Sequence, residues 1–306
     1  MKPTPELQHA YALHGLGYAD NNLAEQIDIK TVADWLGISY SYFYHTFARI
    51  TGEPFGQYVK RHRLETGAGL LRHSDYNVTE ISERTGYATV AAFTKAFTQH
   101  YGQSPNKWRG IHILPNEQRT LELTEMIVAA TAAAGVSINQ FFNIDRAESI
   151  YLPESTLYYN FLSLGQDPIT QMIIRMAAEE ERFNRLKRHL DIKKSMFITG
   201  TLDAVPVTNY EKLSMFAGLA IPKDQTAIHE QLQRDEFRFF RKKLPGGYYY
   251  RLPVPLDFAS AGVPMYEFIN RSCQEGIFKM SGNHFFISLT GPRLCEIYIP
   301  YMKRCL

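Results

Sequence analysis

The strongest constraint on the fold of this 306-residue chain is an internal repeat. Val32-Ala33, Gly37, Ser39, Phe43, Phe47 and Gly52 recur as Ile81-Ser82, Gly86, Thr89, Phe93, Phe97 and Gly102. The displacement is 49 residues as far as Gly37 and Gly86, and 50 beyond them. Each copy reads as a short helix, a turn and a second helix. The glycine supplies a turn that tolerates positive φ. Ser39 or Thr89 stands where a side-chain oxygen caps the following helix. Two phenylalanines four apart form one buried stripe. The first 110 residues therefore predict two equivalent helix-turn-helix elements.

What joins and flanks the copies is helical too. Thr51-Gly52-Glu53-Pro54 stops the first copy, and a helix over about residues 55–72 begins near Pro54, which a first turn accepts. Gly67 and Gly69 oppose that helix, each by roughly 1 kcal/mol relative to alanine. Residues 5–22 also predict a helix, against Gly15 and Gly17. Gly102-x-Ser104-Pro105 closes the second copy and leads to Trp108-Arg109. Between Phe93 and its neighbours, Thr89, Val90, Ala91, Thr94 and Lys95 are left facing outward. Small polar residues and a lysine on such a helix suit the DNA major groove.

These residues resemble the DNA-binding domain of the AraC/XylS family. The match is carried by Ala33-x3-Gly37-x-Ser39, Phe47-x4-Gly52, Arg61-x-Arg63-Leu64, Ile81-x4-Gly86-Tyr87, Phe93-x3-Phe97 and Gly102-x-Ser104-Pro105-x3-Arg109. The resemblance implies two reading helices in successive major grooves of one double-stranded DNA site. On the first helix it points to Ser41, Tyr44 and His45 as base readers, with Arg49 beside them. On the second it points to Thr89, Val90, Ala91 and Lys95, of which only Lys95 is a strong donor. Arg49, Lys60, Arg61, Arg63, Lys107 and Arg109 are either phosphate contacts or structural ion-pair partners. Because the duplication lies within the chain, a monomer suffices for one asymmetric site. RNA polymerase is a further partner that a regulator of this kind implies.

Residues 111–155 read as a helical linker, with an alanine-rich helix from Leu121 to Ala134. From residue 156 the pattern changes to short aromatic or β-branched runs. Thr156–Leu164, Ser195–Leu202, Leu213–Ile221, Tyr248–Leu252, His284–Thr290 and Leu294–Ile299 predict strands. Helices are predicted over about 168–190 and 264–275. The order strand, helix, strand, strand thus occurs twice, and each half ends in proline (Pro222, Pro300), which cannot continue a ladder. The expected fold is an all-α tandem helix-turn-helix domain (1–110) followed by an α+β domain of duplicated β-α-β-β units (156–306), with a cleft between its halves.

Gly246-Gly247-Tyr248-Tyr249 and Cys295-Glu296-Ile297-Tyr298-Ile299-Pro300 resemble the GyrI-like effector-binding domain. That resemblance implies a small-molecule effector, and it puts the glutamate of the last strand in the ligand cleft. Alternation places Glu296 and Tyr298 on one face of that strand. A carboxylate beside a tyrosine suits an amphipathic or organic cation, through charge neutralisation and cation–π attraction. Tyr248, Tyr249 and Tyr250 divide between faces, and Tyr248 and Tyr250 are the candidates for the cleft. Two other readings of this half follow from the resemblance: an interaction domain without ligand, or a hydrolase using Glu296 and Tyr298.

Composition excludes some classes. The formal net charge of +2 neither requires nor forbids nucleic acid. Ten histidines and three cysteines (Cys273, Cys295, Cys305) lack metal-ligand spacing, and no cofactor fingerprint or nucleophile elbow occurs. No metal, cofactor or enzymatic activity is expected. The odd cysteine count suits a reducing compartment. Pro3, Pro5 and Glu6 interrupt any early apolar segment, and the run Met126–Val136 is far short of the ~20 residues that span a bilayer. The expectation is a cytoplasmic protein without membrane contact.

Overall fold

The computed structural model describes residues 3–110, 115–133, 135, 140–164, 169–205, 207–209, 212–232, 239–291 and 294–303. The chain divides into two compact units, Met1–Leu71 with Tyr76–Gly110, and Arg72–Asp75 with Ile111–Leu306.

The first unit is all helix: α1 Pro5–Asn21, α2 Ile29–Trp35, α3 Tyr40–Thr51, α4 Phe55–His73, α5 Val78–Arg84, α6 Val90–Tyr101 and α7 Pro105–Arg109. The sequence repeat is a structural repeat down to its caps. Ser39 Oγ accepts the Tyr42 N–H and Thr89 Oγ1 accepts the Ala92 N–H, which satisfies donors that a helix start leaves open. Gly52 and Gly102 end the two second helices at φ 77° and 70°. Gly37 and Gly86 turn at φ 68° and 72°. Phe43, Phe47, Phe93 and Phe97 are wholly buried.

The glycines that weaken the flanking helices have a packing reason. A Cβ at Gly15 would lie 2.8 Å from Phe43 Cζ and 3.0 Å from the Phe47 ring. At Gly67 it would lie 2.9 Å from Phe93 Cε2. Helix α1 receives the aromatic stripe of the first repeat, and α4 receives that of the second. The local cost of each glycine is offset by burying a phenylalanine, worth about 2–3 kcal/mol.

The second unit holds one eight-stranded sheet. Its strands are β1 Glu148–Leu152, β2 Ser155–Leu164, β3 Met196–Thr201, β4 Ser214–Pro222, β5 Phe240–Leu244, β6 Gly247–Val254, β7 Phe286–Gly291 and β8 Leu294–Pro300. Their spatial order is β1-β6-β8-β7-β3-β4-β2-β5, and each pairing is antiparallel. The helices of this unit are α8 Pro115–Ala133, α9 Ile169–His189, α10 Thr226–Leu232 and α11 Phe258–Gln274. One sheet face carries Leu219, Ile221, Leu252, Val254, Ile297 and Ile299, packed with Phe183 of α9 and Met265 and Phe268 of α11. The other carries Leu157, Ile198, Phe216, Ala220, Leu244, Tyr249, Phe286 and Tyr298.

Three differences from the sequence reading matter. Residues 111–155 are not a separate linker. Within them α8 packs on α11, with Ile127 and Val128 against the sheet core, and β1 pairs with β6. Strands β1 and β5 and helix α10 are additional; the two strands are five-residue edges of mixed polarity. Helix α11 starts at Phe258, before Pro264. Asp257 caps it by accepting the Ser260 N–H, and Ala261, Met265 and Ile269 bury enough surface to keep the proline inside. The part of the alanine-rich run at Ala134, and Cys305, lie outside the described residues.

The sheet is curled. β1 and β2 stand six places apart in the strand order, as do β6 and β5. In a flat sheet that separation is ~29 Å at ~4.8 Å per strand. Yet Leu152 connects to Ser155, and Leu244 to Gly247, by three residue steps, which reach at most ~11 Å. The two ends of the sheet must therefore approach each other at these connections. A Cβ at Gly246 would lie 3.0 Å from Glu154 N, so the two connections run side by side.

Candidate functional site

On α3, Ser41, His45 and Arg49 are exposed and follow one another at i, i+4 along a single ridge. Tyr44 is half-buried, and its ring stacks on Tyr40 at 6.2 Å and 17°. Arg49 Nη2 donates to Gln8 Oε1. On α6, Ala91 and Lys95 are exposed at the same spacing, and Val90 is half-buried. Lys95 makes no ion pair among the described residues. The Thr89 hydroxyl oxygen already accepts the Ala92 N–H, so it caps the helix before it can read a base.

An open concavity of about 620 Å³ lies between these elements. Tyr40 and Tyr44 of α3, Gln57 and Lys60 of α4, and Ala96 of α6 line it. Tyr40 and Gln57 carry no signal in the sequence, because only the tertiary fold brings the start of α4 between the two reading helices. Lys60 is exposed within the concavity.

The other basic candidates divide sharply. Arg61 Nη2 lies 2.6 Å from Glu53 Oε1 and its Nη1 2.7 Å from Glu65 Oε2, all three side chains being largely buried. Arg63 donates to the carbonyls of Leu23 and Glu25, and Arg109 to those of Leu71 and Tyr76. These three arginines are internal ties. Lys60, Lys95 and Lys107, by contrast, are exposed.

In the sheet unit, Glu296 and Tyr298 share the face opposite the helices. Tyr298 Oη donates to Glu296 Oε2 at 2.7 Å, and Arg251 Nη1 stands 4.0 Å from Glu296 Oε1. Arg251 also pairs with Glu148. Burial and the hydrogen bond to Glu296 hold the Tyr298 phenol well above its ordinary range. Its ring lies stacked on Phe286 at 5.0 Å and 19° and is almost fully buried. An open cation cage at this pair is therefore not what the geometry presents: the carboxylate has an internal cation, and the ring face is covered.

Tyr248 and Tyr250 are on the wrong side for a shared cleft with Glu296. The pairing Tyr250↔Ile299 and Arg251↔Tyr298 puts Tyr250 with the helix-side core and leaves Tyr249 on the Glu296 face. Tyr250 stacks on Tyr301 at 4.0 Å, and Lys303 Nζ covers Tyr248 at 4.5 Å. Strand alternation alone ties Tyr249 to one face, but not to which one; the pairing with β8 decides it.

That same face holds a pocket of about 210 Å³. Leu152, Met196, Ala220, Leu244, Tyr249 and Phe286 form its apolar wall, with Lys194 and Ser195 at its border. Leu152 and Leu244 come from opposite ends of the strand order, so the curl makes this the concave face. Burial pushes the Tyr249 phenol up to about 12. Glu296 does not line the pocket; Tyr298 is packed behind Phe286.

Comparison with known proteins agrees with the helical unit. The family profile described as Helix-turn-helix domain matches residues 32–111. The regulatory protein PocR of Salmonella typhimurium is 31% identical over 94 residues, 31% of this chain and 31% of that protein. The probable transcription factor PqrA of Proteus vulgaris is 30% identical over 92 residues, 30% of this chain and 75% of PqrA. The DNA-binding domain of AdpA, solved in complex with a target DNA, is 30% identical over 32% of this chain and 88% of that chain, with a TM-score of 0.31. The chain spans about a third or less of the length of several curated relatives, PocR at 31% among them. Fold and site define a helix-turn-helix DNA-binding protein. The chain belongs to the AraC family of helix-turn-helix transcription regulators.

Proposed function

We propose that the chain regulates transcription by reading one asymmetric DNA site with α3 and α6, and that its sheet unit senses a small molecule. The observation that carries the DNA reading is the repeat itself: two identically capped helices in one compact unit, each with an exposed ridge. Ser41, Tyr44 and His45 supply most of the base discrimination. Val90 and Ala91 offer only apolar contact, and Lys95, Lys60 and Lys107 hold the backbone. One chain serves one site, with RNA polymerase as the downstream partner. Selection of binding sequences from a random pool, followed by footprinting, tests this. The expected footprint has two contacted segments about one helical turn apart, ~10 base pairs, with one chain per duplex by sedimentation. Failure of any sequence to enrich would refute the reading.

The sensor reading rests on the concave pocket. The sheet order, with β2-α9-β3-β4 and β6-α11-β7-β8 meeting at β3 and β7, supports a GyrI-like effector domain. The order of the two units is that of the right-origin-binding protein. A ligand held in the pocket acts on regulation to the extent that it binds one state of the protein better than another. Among the described residues no helix is long and apolar enough to cross a membrane.

A further inference from the structure

We infer that the concave pocket takes an amphipathic anion, a carboxylate or sulfonate on an apolar body, and disfavours an organic cation of the same shape. This rests on the sensor reading above and names the chemistry of its ligand.

The apolar end is set by the wall of Leu152, Met196, Ala220, Leu244, Tyr249 and Phe286. Among the described residues that line the cavity, none is a carboxylate. At its mouth the charge is positive. Lys194 borders the pocket, is exposed, and forms no ion pair among the described residues. Lys223 and Lys243 adjoin the lining residues Pro222 and Leu244, and both bind one carboxylate, Glu154, at 3.3 and 3.1 Å. Lys223 and Lys243 thus share one carboxylate, and Lys194 pairs with none among the described residues. Asp191, on the approach to β3, is engaged by Lys193 at 3.4 Å, and Asp224 follows Lys223 in the turn after β4.

An anionic head group beside Lys194 supplies a counter-charge for the ammonium. A cation at the same place would meet the unpaired Lys194. The acidic group that could attract it, Glu296, is outside the lining and already holds Tyr298 and Arg251.

The test uses the full chain and three probes of one shape: 4-phenylbutyrate, 4-phenyl-1-butanol and (3-phenylpropyl)trimethylammonium, each titrated calorimetrically at low salt. The expected result is that the carboxylate binds at least tenfold tighter than the ammonium, with the alcohol between them. Lys194→Met should remove about tenfold of carboxylate affinity and leave the alcohol unchanged, and Ala220→Met should weaken all three by filling the pocket. Circular dichroism of each variant shows that the sheet is intact. Equal or tighter binding of the ammonium, or a Lys194→Met variant with an unchanged carboxylate-to-alcohol ratio, overturns the charge assignment while the pocket stands. Binding of none of the three overturns the sensor reading itself.

Discussion

Gly67→Ala sets helix propensity against packing. In an isolated helix the change should stabilise α4 by about 1 kcal/mol. In this protein the new Cβ would lie 2.9 Å from Phe93 Cε2 and 3.0 Å from Cζ. The ring cannot swing away, because Phe93 is wholly buried and held by Tyr87 and Phe97 at 5.3 and 5.4 Å. Overfilling a packed core costs about 1–3 kcal/mol. The net expectation is a loss of about 1 kcal/mol, or ~4–8 °C in the melting temperature of a unit this size. The assay is unusually clean. Both tryptophans of the chain, Trp35 and Trp108, are in the helical unit, so their emission in a urea titration reports that unit alone. Trp108 donates its indole N–H to the Ala68 carbonyl, one residue from the substitution. Combining Gly67→Ala with Phe93→Leu should cost at least ~1 kcal/mol less than the two single changes summed, because the shorter side chain makes room. An increase in the urea midpoint for Gly67→Ala alone would show that propensity governs this helix and that the contact with Phe93 is not what fixes the glycine.

Three further outcomes are expected. Arg61→Ala removes the guanidinium that ties the largely buried Glu53 and Glu65 and should destabilise the helical unit by about 3–5 kcal/mol, read by the same tryptophan emission. Lys95→Ala should weaken DNA binding evenly across sequences and lower the slope of log affinity against log salt by ~0.9, whereas His45→Ala should relax sequence preference with little change in slope. Burial pushes the Cys273 and Cys295 thiols up to about 12, as it does Tyr249, while the unfolded chain loses the thiol protons near the ordinary value of 9.0. These groups favour the folded state fully below pH 9, and that contribution declines as pH rises toward 12; the sheet unit should melt at a lower temperature at pH 10.5 than at pH 7, followed by circular dichroism.

Much of the helical unit is legible in the residues because its determinants are local. A capping hydroxyl, a positive-φ glycine and a phenylalanine pair act within a dozen positions, and the second copy confirms the spacing of the first. The major strands are legible for the same reason, through alternation and closing prolines. Edge strands β1 and β5 are not, since they bury little and carry no period. The candidate interface is legible in part. Ser41, His45, Ala91 and Lys95 are outward as the helical period demands. The arginines could not be sorted in advance, because a guanidinium beside a phosphate and one tying Glu53 to Glu65 have the same spacing in the chain.

The sequence by itself determined that two like helix-turn-helix elements come first and that a region of strands and helices follows. Tertiary structure decided the rest. It made Gly15 and Gly67 seats for aromatic rings. It brought Tyr40, Gln57 and Lys60 between the reading helices. It turned Tyr249, not Tyr248 or Tyr250, toward the pocket, and it closed Glu296 with Arg251 and Tyr298. The physical reason is the same each time. Caps, turns and periods are set by residues a few positions apart, whereas which face a strand buries, which charge finds its partner and where a cavity opens depend on chain segments that only the fold brings together.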